Sequence, residues 1–388
     1  MKALPDGAPR RLTRDGKAST PLWSPSGDWL LMNETVIRAS DGSSHAALGC
    51  REWAPPADEL LCLDPSGDVM FVNADGDRRR LISGQTLLSN APAGSKLGGI
   101  PELSPDRTKL AYAVNEPFDG TGVPAQRLSG LWVADADGAN ARSILESDGS
   151  AHGGAVTVVG WTPDGERILF SVALGFSASL AADGVQFYAI QPSGGSPVLL
   201  QNGMLRSKTL LGGFSPTGTL AFTAGTGRET WTGKRVALLD VATGTARFLT
   251  DANDSAFSPA WSADASKLAY VSAPDIGSVG GGEVAKAGAA KRKIWLINAD
   301  GSGRRALTED AAYRDEWPLW SSDGSRLLIA RIDGEGAASV WLVDAGGSGV
   351  PAMKVADISR PLGRLDPPLW FGYYGHVGWD QFYDWWQP

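Results

Sequence analysis

A phrase that recurs seven times constrains this chain more than any other feature of its sequence. It reads LWSPSGDWLLM from Leu22, EWAPPADELLCL from Glu52, ELSPDRTKLAYAV from Glu102 and GWTPDGERILFSV from Gly160, then GFSPTGTLAFTA from Gly213, AWSADASKLAYVS from Ala260 and LWSSDGSRLLIAR from Leu319. Each copy is a short run ending in an aromatic residue or leucine, a turn of Ser, Pro, Asp and Gly type, and a run rich in Leu, Ile, Ala and Val. Proline presets φ for a turn and glycine accepts positive φ, so each copy reads as a tight hairpin. A third strand follows, seen as VMFVNADG from Val69, LWVADADG from Leu131, IWLINADG from Ile294 and VWLVDAGG from Val340. The fourth carries charge, as in RRRLIS from Arg78, ARFLT from Ala246 and RRALT from Arg304, which suits an exposed edge that must not pair with other chains. Four short strands returning about every 50 residues are the requirement of a propeller blade. The expected fold is therefore all-β, a single closed β-propeller domain of four-stranded antiparallel blades over residues 1–388.

The chain enters out of phase, because GAPRRLT from Gly7 matches a fourth strand rather than the start of a blade. Residues 7–14 are thus expected as an outer closing strand and 20–357 as seven continuous blades. PLW returns at Pro368–Trp370, so 366–388 is expected to supply a partial blade or cap. That gives eight blades, seven continuous and one composite; the alternative is seven blades with the aromatic tail laid across one surface. Trp379, Phe382, Trp385 and Trp386 then either fill a core or form a docking patch. The paired WSPDG-like and DADG-xx-RRLT-like halves resemble the repeats of the TolB family and related WD40-like (PD40-type) propellers, over nearly the whole chain. The resemblance implies a propeller scaffold that docks protein partners in cell-envelope assemblies.

Composition narrows the partner. A net charge of −8 disfavours a nucleic-acid grip, and the runs Arg78–Arg80 and Lys291–Lys293 read as solvated strand flanks. With 43% apolar residues and 15 Trp the chain has surface enough to bury, so disorder is excluded. No stretch approaches a membrane span and MKALPDGAPR lacks the apolar core of a signal peptide, so the chain reads as soluble and not membrane-embedded. It is expected in the cytoplasm, or in the periplasm or another extracytoplasmic space if an export signal has been removed. Cys50 and Cys62 mirror each other about the APPADE turn, which makes them neighbours across one hairpin; two buried free thiols are expected there, the alternative being a disulfide, which would signal an oxidising compartment.

Catalytic signatures are sparse. There is no G-x-S-x-G elbow, and the three histidines, His45, His152 and His376, are dispersed. Asp135, Asp137 and Asp300 sit in Asp-Gly turns without the twelve-residue calcium loop, and read as bonded to their own backbone. No metal or cofactor is expected. Length variation concentrates in the loops at 83–99, 115–130, 173–184, 224–235 and 273–293, which a propeller places on one rim, so that rim is the expected functional face. The Gly/Ala-rich segment 272–293 is expected to be flexible, ordering with a partner or serving as an unselected insertion. Arg51, Glu52, Glu102, Arg314, Asp315 and Glu316 stand where innermost strands begin, with Trp231 on a nearby loop. They are the candidate binding residues at the channel mouth; the bland alternative is solvated charges and mutual ion pairs. The expected function is a non-catalytic protein- or peptide-binding scaffold. The alternatives are a carbohydrate-active or other hydrolase or lyase with its site in the funnel, and a structural subunit of a larger assembly.

Overall fold

The structure is a computed structural model that describes residues 12, 20–117, 129–145, 155–173, 185–204, 213–215, 217–346, 351–358 and 374–386. It is all-β, and its sheets follow the sequence phrase. Repeat 1 is a four-stranded antiparallel sheet of Leu22–Trp23, Trp29–Met32, Thr35–Arg38 and Ser44–Ala46, paired in chain order. Repeat 2 pairs Cys50–Trp53, Glu59–Leu63, Val69–Asn73 and Arg78–Ile82 in the same way. Repeat 6 begins with Asp254–Trp261 and repeat 7 runs from Tyr313–Trp320 to Met353–Ile358, each again four-stranded. In repeat 3 an extra strand, Lys96–Leu97, pairs with Lys109–Asn115. Repeats 4 and 5 merge into one seven-stranded sheet through a Gly203–Ala224 pair. Gly203 has no alternative, because a Cβ there would lie 2.0 Å from Cζ of Phe222.

In six of the seven repeats the turn after the first strand has one residue at positive φ; that of repeat 2 has the cis Pro55–Pro56 bond instead. Gly27, Gly165, Gly218 and Gly324 supply it cheaply, while Arg107 and Ala265 adopt it at φ 60° and 55°. Arg107 compensates by donating to the carbonyls of Ala54 and Pro55 and to Glu59, which ties the turn of repeat 3 to that of repeat 2. The cores likewise straddle neighbours. One joins Leu61 and Phe71 to Leu110, Tyr112 and Trp132, and another joins Phe187 to Leu220 and Phe222. A tryptophan closes several seams: Trp53 Nε1 donates to the Leu22 carbonyl, Trp161 to Glu102 and Trp320 to Ala260, at 2.9, 3.0 and 2.9 Å. Each acceptor precedes the aromatic or leucine position of the repeat before it.

Three expectations need correcting or bounding. Cys50 and Cys62 are directly opposed, and instead of free thiols they form a disulfide, with Cα atoms 4.1 Å apart. Segment 272–293 is not simply coil, since Glu283–Ala290 is a helix whose Ala285, Gly288 and Ala289 are buried. Alanine content and Glu283 in the first turn favour it. Of the segments expected at 7–14 and 366–388, only Leu12 and residues 374–386 are among the described residues. The described tail, 374–386, contains a single 3-10 turn at Trp379–Gln381 and no named strand. Its Val377 and Trp379 pack with Trp317, Ala330 and Ile332 of repeat 7. Among the described residues no helix is long and apolar enough to cross a membrane.

Candidate functional site

A cavity of about 550 Å³ is lined by residues of the first strands of repeats 2 to 4 and by the isolated Phe214–Leu220 bridge of repeat 5. Its wall holds Trp53, Leu103, Trp161 and Phe214, the equivalent positions of four successive repeats. The repeat itself therefore makes the cavity apolar, because the residue that ends each first strand must pack at a seam and shows its remaining surface inward. Glu52 and Glu102, one residue earlier on their strands, also line the cavity. Pro55, Pro56, Ser104 and Pro105 also line it, so the cavity lies among the short turns rather than under the long-loop rim. The guanidinium of Arg107 is part of the wall, with its charge directed to Glu59 at 3.1 Å.

The seven sequence candidates separate into different places. Glu52 and Glu102 meet at the cavity. Arg51 is exposed, within the register shift that separates Cys50 from Glu52, and is not among the cavity residues. Arg314, Asp315, Glu316 and Trp231 are buried elsewhere. Glu316 Oε1 accepts from Arg292 at 2.6 Å and from Arg314 at 2.5 Å, and its Oε2 accepts from Trp379 Nε1 at 2.7 Å. Arg292 also donates to the Gly375 carbonyl and to Thr230 Oγ1, at 2.6 and 2.7 Å. Asp315 accepts from Arg331 Nε at 2.9 Å. Burial alone would push the Glu316 carboxyl up, but Arg314, Arg292 and the Trp379 N–H hold it at about 2. Burial, and then the neighbouring Arg314, bring Arg292 down to about 10. For Asp315, burial outweighs the pull of Arg331 and raises the carboxyl. Trp231 lies beside this cluster on the loop whose Thr230 bonds the tail.

Arg292 was the residue that sequence reasoning missed. It sits inside a basic run read as a solvated flank, yet it is 1% exposed. Its partners Thr230, Glu316 and Gly375 are 62, 24 and 83 residues away, so no local pattern marks them. Trp161 and Phe214 were legible as repeat positions, and only the packing of strands shows them as cavity wall. Among the described residues there is no group of three or more His, Cys, Asp and Glu side chains able to hold a metal ion.

No family model matches the chain. One curated relative, the Tol-Pal system protein TolB of Rhizorhabdus wittichii, is 33% identical over 75 residues, which are 19% of this chain and only 16% of that relative's length. Among solved structures, an oligogalacturonate lyase from Vibrio parahaemolyticus aligns with a TM-score of 0.51 at 11% identity, over 86% of this chain and 92% of the lyase. Dipeptidyl peptidase 4 of Porphyromonas gingivalis aligns with a TM-score of 0.54 at 12% identity, over 88% of this chain and 52% of the peptidase. At such identities the structural likeness extends to the fold and no further. By its repeats and its four-stranded sheets, the chain resembles the TolB-like β-propellers.

Proposed function

We propose that this chain is a non-catalytic binding propeller that takes a protein or peptide segment at the cavity between repeats 2 and 5. The observation that carries this reading is the cavity wall, which brings together Trp53, Trp161 and Phe214 with the acidic residues Glu52 and Glu102. A mostly apolar pocket of several hundred Å³ with a few polar groups suits a short segment anchored by one or two side chains. Similarity to a TolB of the Tol-Pal system supports a docking role. The framework we propose for the site is a closed ring of seven blades, since the described tail packs on repeat 7 as a 3-10 turn. An eighth, composite blade would need strands at 7–14 and 366–373.

The test is a peptide array probed with the wild-type chain and with Phe214→Glu, followed by intrinsic tryptophan fluorescence on the hits. Trp53 and Trp161 make the wall its own reporter. Saturable spectral change with wild type, weakened at least tenfold in Phe214→Glu, supports the reading; hits indifferent to Phe214→Glu defeat it. A second reading, a lyase site in the same funnel, draws on one observation: the oligogalacturonate lyase aligns with this fold over 86% of this chain and 92% of its own. Release of unsaturated product from pectic oligosaccharides would favour it.

A further inference from the structure

The described tail bridges repeats 7 and 1, packing with Trp317 and Ile332 of one and bonding Thr20, Trp23 and Pro25 beside the other. Its hold on the two sides is unequal. On the repeat 7 side, Trp379 is 1% exposed, donates to Glu316 and shares a core with Trp317 and Ile332. Tyr383 Oη donates to the Trp317 carbonyl at 3.0 Å, and Arg292 and Thr230 bond the carbonyls of Gly375 and Tyr374. On the repeat 1 side the bonds are fewer and closer to solvent. Thr20 N donates to the Gln381 carbonyl at 2.9 Å, Trp23 N to Asp384 Oδ2 at 3.3 Å and Trp386 Nε1 to the Pro25 carbonyl at 3.4 Å. Trp386 stands 6.3 Å from Trp23, over Gly27, where a Cβ would fall 2.2 Å from the indole.

We propose that residues 374–386 are a clasp that closes the array of repeats, fixed to repeat 7 and releasable from repeat 1. The chemistry of the two ends sets the direction. A buried carboxylate held by two guanidinium groups and an indole N–H cannot be uncovered without leaving charge unpaired in the interior. Exposed backbone bonds and one tilted indole pair open at far smaller cost. Repeat 1 keeps its other neighbour throughout, because Leu31 and Val36 share a core with Leu60, Cys62 and Val72 of repeat 2. Opening is therefore a hinge of the tail end away from repeat 1 rather than unfolding of the repeat.

The inference rests on the ring reading above, and not on any ligand. Its test is hydrogen exchange followed by mass spectrometry on the full chain, with repeats 3 and 4 as an internal standard of folding. In Trp386→Ala, amides of residues 20–32 should exchange about tenfold faster while those of 313–333 and 377–381 keep the wild-type rate. In Glu316→Gln, both 377–381 and 20–32 should exchange faster, because the fixed end is loosened. Unchanged exchange at 20–32 in Trp386→Ala overturns the clasp, as does loss spread evenly over every repeat. A tail indifferent to Glu316→Gln overturns its anchor. Small-angle scattering of the wild-type chain tests the ring separately: a closed disc supports it, and an extended arc removes the ring without deciding which end of the tail is fixed.

Discussion

A serine or threonine just after the first strand, present in every repeat but the second, where Ala54 stands, does more than the turn pattern suggests. Ser321 donates to Asp323 Oδ1 at 2.6 Å and accepts from the Arg326 amide at 2.9 Å, while Asp323 accepts from the Ser325 amide. Thr162 and Asp164, and Ser262 and Asp264, repeat this arrangement. The sequence made the turn legible through proline and glycine; the hydroxyl's second bond across the hairpin is a three-dimensional fact. Side-chain bonds from Ser262 and Ser321, joined by backbone amides, hold the Asp264 and Asp323 carboxyls at about 2, and those of Asp106 and Asp164 below the usual range. Because these values lie below the unfolded one of about 3.9, their stabilisation is complete above that pH and is lost as pH falls toward 2. Thermal melts should therefore fall along an acid limb between about pH 4 and 2. Ser321→Ala should cost about 1 kcal/mol at neutral pH through the lost bond to Arg326 and make that limb shallower. An acid limb identical in wild type and Ser321→Ala would remove the hydroxyl from the account.

At the scale of elements, strands were more legible than what interrupts them. The helix at Glu283–Ala290 was hidden by its glycines and alanines, which read as coil until Ala285 and Ala289 find a surface to cover. The register shift after Cys50 was equally silent, though it separates exposed Arg51 from Glu52 in the cavity wall. The mirror placement of the cysteines was read correctly, and their bond was not, because pairing depends on the distance between strands rather than on spacing in the chain. That bond spans 12 residues at the inner hairpin of repeat 2. A link of this span contributes about 2–4 kcal/mol, mainly by restricting the unfolded chain. Urea unfolding in the presence of reductant should show a correspondingly lower midpoint, with intact protein gaining two hydrogens by mass. Coincident midpoints with and without reductant, and no mass change, would mean that the thiols are free in solution.

The whole molecule repeats a single rule, that each unit completes itself only against the next. This is why the all-β repeat was readable from sequence while the charged candidates were not sorted: Glu52 and Glu102 follow the repeat into the cavity, whereas Glu316 meets Arg292 and Trp379 through contacts that belong to one seam alone. The indole bonds from Trp53, Trp161 and Trp320 are the same contact made at three separate seams. Replacing each tryptophan by phenylalanine retains a ring and leaves one carbonyl without its donor, at a cost of about 1 kcal/mol. Sites so far apart, with no shared partner, should add, so the triple variant should lose about 3 kcal/mol. The shape of the transition carries the stronger information. In an open array whose neighbours couple weakly, three softened seams let blocks of repeats unfold at different denaturant concentrations. In a closed propeller no block can leave without breaking two seams at once, and the triple variant should still unfold in one step with an unchanged denaturant slope. Two resolved steps in circular dichroism, or a slope that falls with each substitution, would show that the repeats are held in a line rather than a circle.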